Sequence, residues 1–185
     1  MKQILSKSIV LTGLMGSGKS AIGKVLAEKM EVPISDTDKI IEKEVGKTIY
    51  EIFNDSGEKY FRQVEEKVVG RVLDETAHII STGGGSILSS KTRKAIKSKS
   101  FSIWIQCNVD IISKRIHEQE KRPLLQNKNI LDTLVKKNRE RVKFYRQADI
   151  HIVNESSNIE MTVEAIVKQL LLKRKKFNQY MLHII

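Results

Sequence analysis

The sequence predicts one three-layer α/β domain, built on a five-stranded parallel sheet with helices on both faces. Three observations carry that expectation. Short apolar runs alternate with longer segments of helical period, which is the pattern of β-α-β units. Two glycine clusters follow apolar runs directly, at the sheet edge where open α/β folds bind ligands. The length of 185 residues, with 40% hydrophobic and 30% charged side chains, suits one core rather than two.

Ser8 to Thr12 reads as the first strand. Gly13 to Ser20 follows as a glycine loop, and Ala21, Ile22, Val25 and Leu26 mark the apolar stripe of the next helix. Val32 to Ser35 is the second expected strand, running into Asp36-Thr37-Asp38. Phe61, Val64, Val68 and Val72 recur near multiples of 3.6 and mark a helix ahead of the third strand, His78 to Ser81. Thr82-Gly83-Gly84-Gly85 then breaks the rhythm. Phe101 to Cys107 is the fourth strand and Ile150 to Val153 the fifth. Between these two, Glu118 to Asn129 is polar and proline-containing and reads as a mobile lid joining two helices. The later helix is marked by Leu131, Leu134, Val135, Val142 and Tyr145. The expected domain is 1–172 with its lid at about 118–129, followed by a basic and apolar tail, 173–185.

Composition narrows the function classes. Cys107 is the only cysteine, so no intramolecular disulfide can form, and no Cys/His cluster has zinc spacing. The longest apolar runs are too short to span a bilayer, and the N-terminal residues lack a signal-peptide pattern. A cytoplasmic protein with no membrane partner is expected. The net charge of +11, from 33 Lys and Arg against 22 Asp and Glu, favours anionic ligands. The densest basic run, Lys173-Arg174-Lys175-Lys176, closes a helical segment where cations complement the dipole, and no aromatics are interleaved for base stacking. Nucleic acid is therefore not an expected partner, and a monomer is expected.

The chemistry lies in four motifs. Gly13-Leu14-Met15-Gly16-Ser17-Gly18-Lys19-Ser20 matches G-x-x-x-x-G-K-[ST] between an apolar strand and an amphipathic helix. Such a loop turns backbone N–H groups toward phosphate oxygens, and the helix adds the positive end of its dipole. Lys19 is expected on the β- and γ-phosphates and Ser20 on Mg²⁺. The nucleotide-binding set is then Gly16, Ser17, Gly18, Lys19, Ser20 and Ala21. Asp36 and Asp38 stand at period two, on one side of an extended chain at the carboxyl edge of the sheet. One could serve the metal's water shell and the other accept a proton; alternatively Asp38 caps a helix starting near Lys39. Arg62 lies beside the buried stripe with Glu65 one turn on, which makes either a carboxylate-binding fork or a surface ion pair. Gly83, Gly84 and Gly85 complete the set at the end of the third strand.

In order, ISDTD, FRQVEE, TGGG and Arg122-Pro123-Leu124-Leu125 resemble the motif series of the shikimate kinases, over nearly the whole chain to about Gln169. The resemblance implies a P-loop kinase fold that uses ATP and Mg²⁺ to phosphorylate shikimate. It implies Asp38 as ligand of the ring hydroxyls and base, Asp36 on hydrated Mg²⁺, and Arg62 on the shikimate carboxylate. Glu65 would orient Arg62, Gly83 to Gly85 would line the pocket, and Arg122 would reach the transferring phosphate from the lid. It also implies Arg115 against adenine and a second carboxylate ligand in an R-x-x-x-Y pattern, which Arg141 to Tyr145 satisfies. Periodicity alone leaves Arg139 and Arg141 open. A Walker B aspartate is missing from His78 to Ser81, which suits the use of Asp36 instead. The alternative within the scaffold is a gluconate or nucleoside-monophosphate kinase.

Overall fold

The computed structural model describes residues 5–118, 130–155 and 158–176. The five strands are β1 (Ser8–Thr12), β2 (Ile34–Asp36), β3 (Ile79–Ser81), β4 (Ser100–Gln106) and β5 (Ile150–Val153). All pair in parallel, in the order β2-β3-β1-β4-β5. The helices are α1 (Lys19–Met30), α2 (Thr37–Val45), α3 (Ile49–Val72), α4 (Ser90–Lys99), α5 (Val109–Glu118), α6 (Ile130–Tyr145) and α7 (Ile159–Lys176). A single 3₁₀ turn, Ser86–Leu88, follows β3.

Alternation along the strands sends side chains to two cores. On one face Ile9, Leu11, Ile79, Ile103, Ile105 and Ile152 pack with Ile22 and Leu26 of α1 and Val163, Ile166 and Leu170 of α7. On the other, Val10, Ile80 and Trp104 pack with Val68, Val69 and Val72 of α3, Ile96 of α4 and Tyr145 of α6. Each such fully buried aliphatic side chain contributes about 1.5–3 kcal/mol relative to exposure, so the expected three layers are held mainly by these two clusters. A third, smaller cluster of Leu14, Ile112, Ile116 and Leu134 lays α5 and α6 over the carboxyl edge of the sheet.

Three local expectations change. The second strand begins later and ends at Asp36, and the chain turns into α2 at once. Asp36, not Asp38, is the N-cap: its Oδ1 accepts the Asp38 and Lys39 backbone N–H groups at 3.2 and 3.4 Å. Asp36 and Asp38 therefore do not share one extended strand, because the capping bonds bend the chain between them. On α6 the inward face carries Leu134, Arg141 and Tyr145, while Val135 stays 36% exposed. Leu134 and Tyr145 hold their expected inward places, and Arg141 takes the part of the stripe expected of Val135. Finally, α7 runs through Lys176, so the basic run 173–176 closes the last helix as its charge suggests, although the expected tail opens with the same residues.

Helix α3 starts with a capping box, Thr48 and Glu51 each bonding the other's backbone N–H. Its backbone is interrupted at Gly57, with φ 78° and ψ 168°. That conformation suits glycine alone, and it resets the direction of the segment carrying Glu58, Arg62 and Glu65.

Candidate active site

The glycine loop between β1 and α1 takes the left-handed backbone its sequence allows: φ is +144° at Gly13, +74° at Gly16 and +95° at Gly18. A Cβ at Gly13 would stand 2.5 Å from the Ile105 carbonyl, and one at Gly16 would stand 2.8 Å from Ile112 Cγ2. The loop is therefore wedged between β4 and α5. Lys19 is 7% exposed, and its ammonium donates to the carbonyls of Gly13 and Leu14 at 2.9 and 3.0 Å. Ser17 is buried, while Ser20 and Ala21 are exposed at the start of α1.

Ser20 Oγ donates to Asp36 Oδ2 at 2.6 Å and lies 3.3 Å from Ser81 Oγ. Three oxygen donors thus meet at one point on the sheet edge, a set that suits a hard cation such as Mg²⁺. Among the described residues no group of three or more His, Cys, Asp or Glu could hold a metal, so a cation here would take its remaining ligands from water and phosphate. Ser81 occupies the end of β3, where a Walker B carboxylate is missing; its hydroxyl has no signature in the sequence.

A second polar cluster gathers over Gly83–Gly85. A Cβ on Gly83 would meet Asp38 Oδ1 at 2.5 Å and Glu65 Oε1 at 2.6 Å, so both carboxylates converge on that glycine. The Gly83 N–H itself donates to the buried Thr37 Oγ1 at 3.1 Å, which fixes the loop to α2 but commits that donor internally. A Cβ on Gly85 would meet the Arg62 guanidinium at 2.3–2.5 Å, so Arg62 lies flat over it.

Arg62 Nη1 donates to Glu65 Oε2 at 2.6 Å, while Nε and Nη2 donate to Glu58 Oε1 at 3.2 and 3.0 Å. Glu65 is 2% exposed, and burial pushes its carboxyl above the usual carboxylate range while the Arg62 charge opposes it. Burial would lower the Arg62 guanidinium, but the Glu65 and Glu58 charges outweigh it and raise it. The Arg62–Glu65 contact is therefore no solvent-screened surface pair. Glu58, one turn before Arg62, is a partner missing from the expected set, although its i, i+4 spacing is the signal that finds it.

Arg141 Nη1 and Tyr145 Oη both donate to the Gly84 carbonyl, at 3.1 and 2.5 Å. Arg141 is 3% exposed and Arg139 lies on the exposed side of α6, so the geometry separates the two candidates. Burial pushes the Tyr145 phenol up to about 12, leaving it a hydrogen-bond donor at any working pH. Tyr145 also stacks on Trp104, with ring centroids 5.9 Å apart. Gly84 touches the first loop as well: a Cβ there would stand 3.0 Å from Met15 N and 3.1 Å from Gly13 O. The two glycine clusters are thus in direct contact, and an acceptor over Gly83 would face a phosphate held by the first loop.

On α5, Arg115 Nη1 reaches Cys107 Sγ at 3.5 Å, beside the loop-covering Ile112 and Ile116. Arg122 lies outside the described residues. The structure therefore brings together Lys19, Ser20, Asp36, Asp38, Arg62, Gly83–Gly85 and Arg141, with Arg115 on the flank.

Comparison with known proteins identifies the family. A family model described as shikimate kinase matches residues 15–171. The shikimate kinase of Caldicellulosiruptor bescii is 39% identical over 170 residues, covering 92% of this chain and 99% of that protein. That of Caulobacter vibrioides is 36% identical over 165 residues, covering 89% and 82%. Among solved structures, a shikimate kinase from Acinetobacter baumannii in complex with shikimate superposes with a TM-score of 0.86 at 30% identity, over 91% of this chain and 94% of that one. A gluconokinase from Sinorhizobium meliloti reaches a TM-score of 0.57 at 16% identity, over 96% and 99%, a likeness of fold alone.

Proposed function

The chain belongs to the shikimate kinase family, and on that premise we propose how its own residues carry out the ATP-dependent phosphorylation of shikimate to 3-phosphoshikimate. One observation carries the reading: Asp38, Glu65 and Arg62 converge on a glycine corner that touches the phosphate loop. A hydroxylated carboxylic acid seated there faces a carboxylate acceptor for its proton and a guanidinium for its charge. The gluconokinase likeness extends to the fold only, so the alternative acceptor is not favoured.

The loop from Gly16 to Ala21 holds the phosphates through backbone N–H groups. Lys19 leaves the Gly13 and Leu14 carbonyls for the β- and γ-oxygens. Ser20, with Asp36 through water, would hold Mg²⁺, which when bound would supply neutralisation of phosphate charge. The acceptor hydroxyl oxygen bonds to the γ-phosphorus as the bridging bond to ADP breaks, and Asp38 takes the hydroxyl proton. Such a loose transition state asks for positioning and charge more than for covalent help.

Arg62 and Arg141 take the shikimate carboxylate, with Glu65 and Glu58 fixing the Arg62 fork. Arg115 and Arg122 are assigned to adenine and to the transferring phosphate. A cytoplasmic monomer acting on these two substrates, without a nucleic-acid or membrane partner, belongs to the same proposal.

ADP release measured with shikimate, gluconate or AMP as acceptor tests the substrate directly. Shikimate is expected to give the large signal, and a shikimate signal no greater than that of water would sink the assignment. Within the site, Arg62→Lys keeps the charge but loses the fork. Calorimetric titration of that variant should show shikimate binding weakened by about 1.5–3 kcal/mol. Unchanged affinity would return Arg62 to a purely structural ion pair.

A further inference from the structure

Asn154, the residue after β5, bonds to the phosphate loop across 137 positions of sequence. We propose that it is a positioning residue for nucleotide phosphate, acting through the peptide between Ser17 and Gly18. The inference rests on the nucleotide-binding role given to that loop.

Asn154 is 3% exposed, and both ends of its amide and its backbone N–H are hydrogen-bonded. Its Nδ2 donates to the Ser17 carbonyl at 2.8 Å, and its Oδ1 accepts from Thr162 Oγ1 of α7 at 3.1 Å. Its backbone N–H donates to the Gln106 carbonyl at the end of β4, at 2.7 Å. The amide has only one workable orientation. A carbonyl can only accept, so the NH₂ end must face Ser17, and the Thr162 hydroxyl supplies a proton to the other end.

A trans peptide is planar, with its C=O and N–H directed oppositely. Drawing the Ser17 carbonyl out toward Asn154 therefore turns the Gly18 N–H inward, to the side where the loop receives phosphate oxygens. Ser17 is 0% exposed, so with Asn154 in place no solvent competes for its carbonyl. Gly18 adds an independent geometric sign. A Cβ there would stand 2.7 Å from Asn154 Nδ2, and φ is +95°. The third glycine of the motif is thus needed twice: for its left-handed backbone and for the space into which the asparagine amide reaches.

Calorimetric titration with ADP, alongside shikimate titration and thermal denaturation, tests this on wild type, Asn154→Ala, Thr162→Val and the double variant. Asn154→Ala should weaken ADP binding by roughly three- to tenfold, the worth of one buried hydrogen bond, with shikimate affinity unchanged. Thr162→Val leaves the amide present but unoriented, so it should weaken ADP less, and it should add nothing to Asn154→Ala. An Asn154→Ala protein with a lowered Tm but normal ADP affinity would overturn the proposal and leave Asn154 a strut between β5 and α7. If Asn154→Ala does not fold, normal ADP affinity in Thr162→Val overturns it instead. A wild-type protein that fails to bind ADP would overturn the nucleotide-binding reading of the loop.

Discussion

Lys19→Ala is expected to remove nearly all turnover, a loss of roughly 10³-fold or more in kcat. The ammonium is the one loop side chain able to follow charge onto the β- and γ-oxygens as the phosphoryl group moves. Its resting contacts with Gly13 and Leu14 show that it already points into the cradle. Because Lys19 is buried rather than exposed, the alanine variant also forfeits those two bonds and a modest share of stability. Thermal denaturation therefore has to accompany the assay. A folded variant with wild-type kcat would refute the phosphate-loop assignment.

Asp38→Asn should lower kcat by about two to four orders of magnitude, the range for losing a general base, with little change in ATP affinity. Its Oδ1 lies 2.5 Å from where a Cβ on Gly83 would stand, beside the proposed acceptor position, and the N-cap of α2 belongs to Asp36. The capping role thus falls to Asp36, and Asp38 stands in the first turn of α2, where a carboxylate also complements the helix dipole. Steady-state rates within a few-fold of wild type would remove Asp38 from the chemistry.

What could be read in advance was what local spacing encodes. The strand-loop-helix around Lys19 and the i, i+3 pair of Arg62 and Glu65 lie within a turn or two of their partners, whereas the glycines after β3 were legible only as a break in the apolar rhythm, their partners being distant in the chain. The boundary at Asp36 was misjudged because Ser-Asp-Thr-Asp has no apolar period, and only the hydrogen bonds to Asp36 Oδ1 say where extended chain becomes helix. Arg141 and Tyr145 meet Gly84 across 57 and 61 residues, and Ser81 meets Ser20 across 61. No periodicity reports such distances. Even Val135, apolar and at a plausible spacing, yields its inward place on α6 to Arg141, since helix and glycine loop meet through hydrogen bonds there.

The stacking of Trp104 on Tyr145 has a spectroscopic consequence. Trp104 is the chain's only tryptophan, so all indole emission comes from one place. It is 7% exposed, which sets that emission toward the blue of a solvated indole. Its stacked neighbour ends in the hydroxyl that grips Gly84, so a ligand settling on the glycine corner perturbs the fluorophore through a single intervening ring. The molecule carries its own optical probe of acceptor occupancy, with no second indole to dilute the signal.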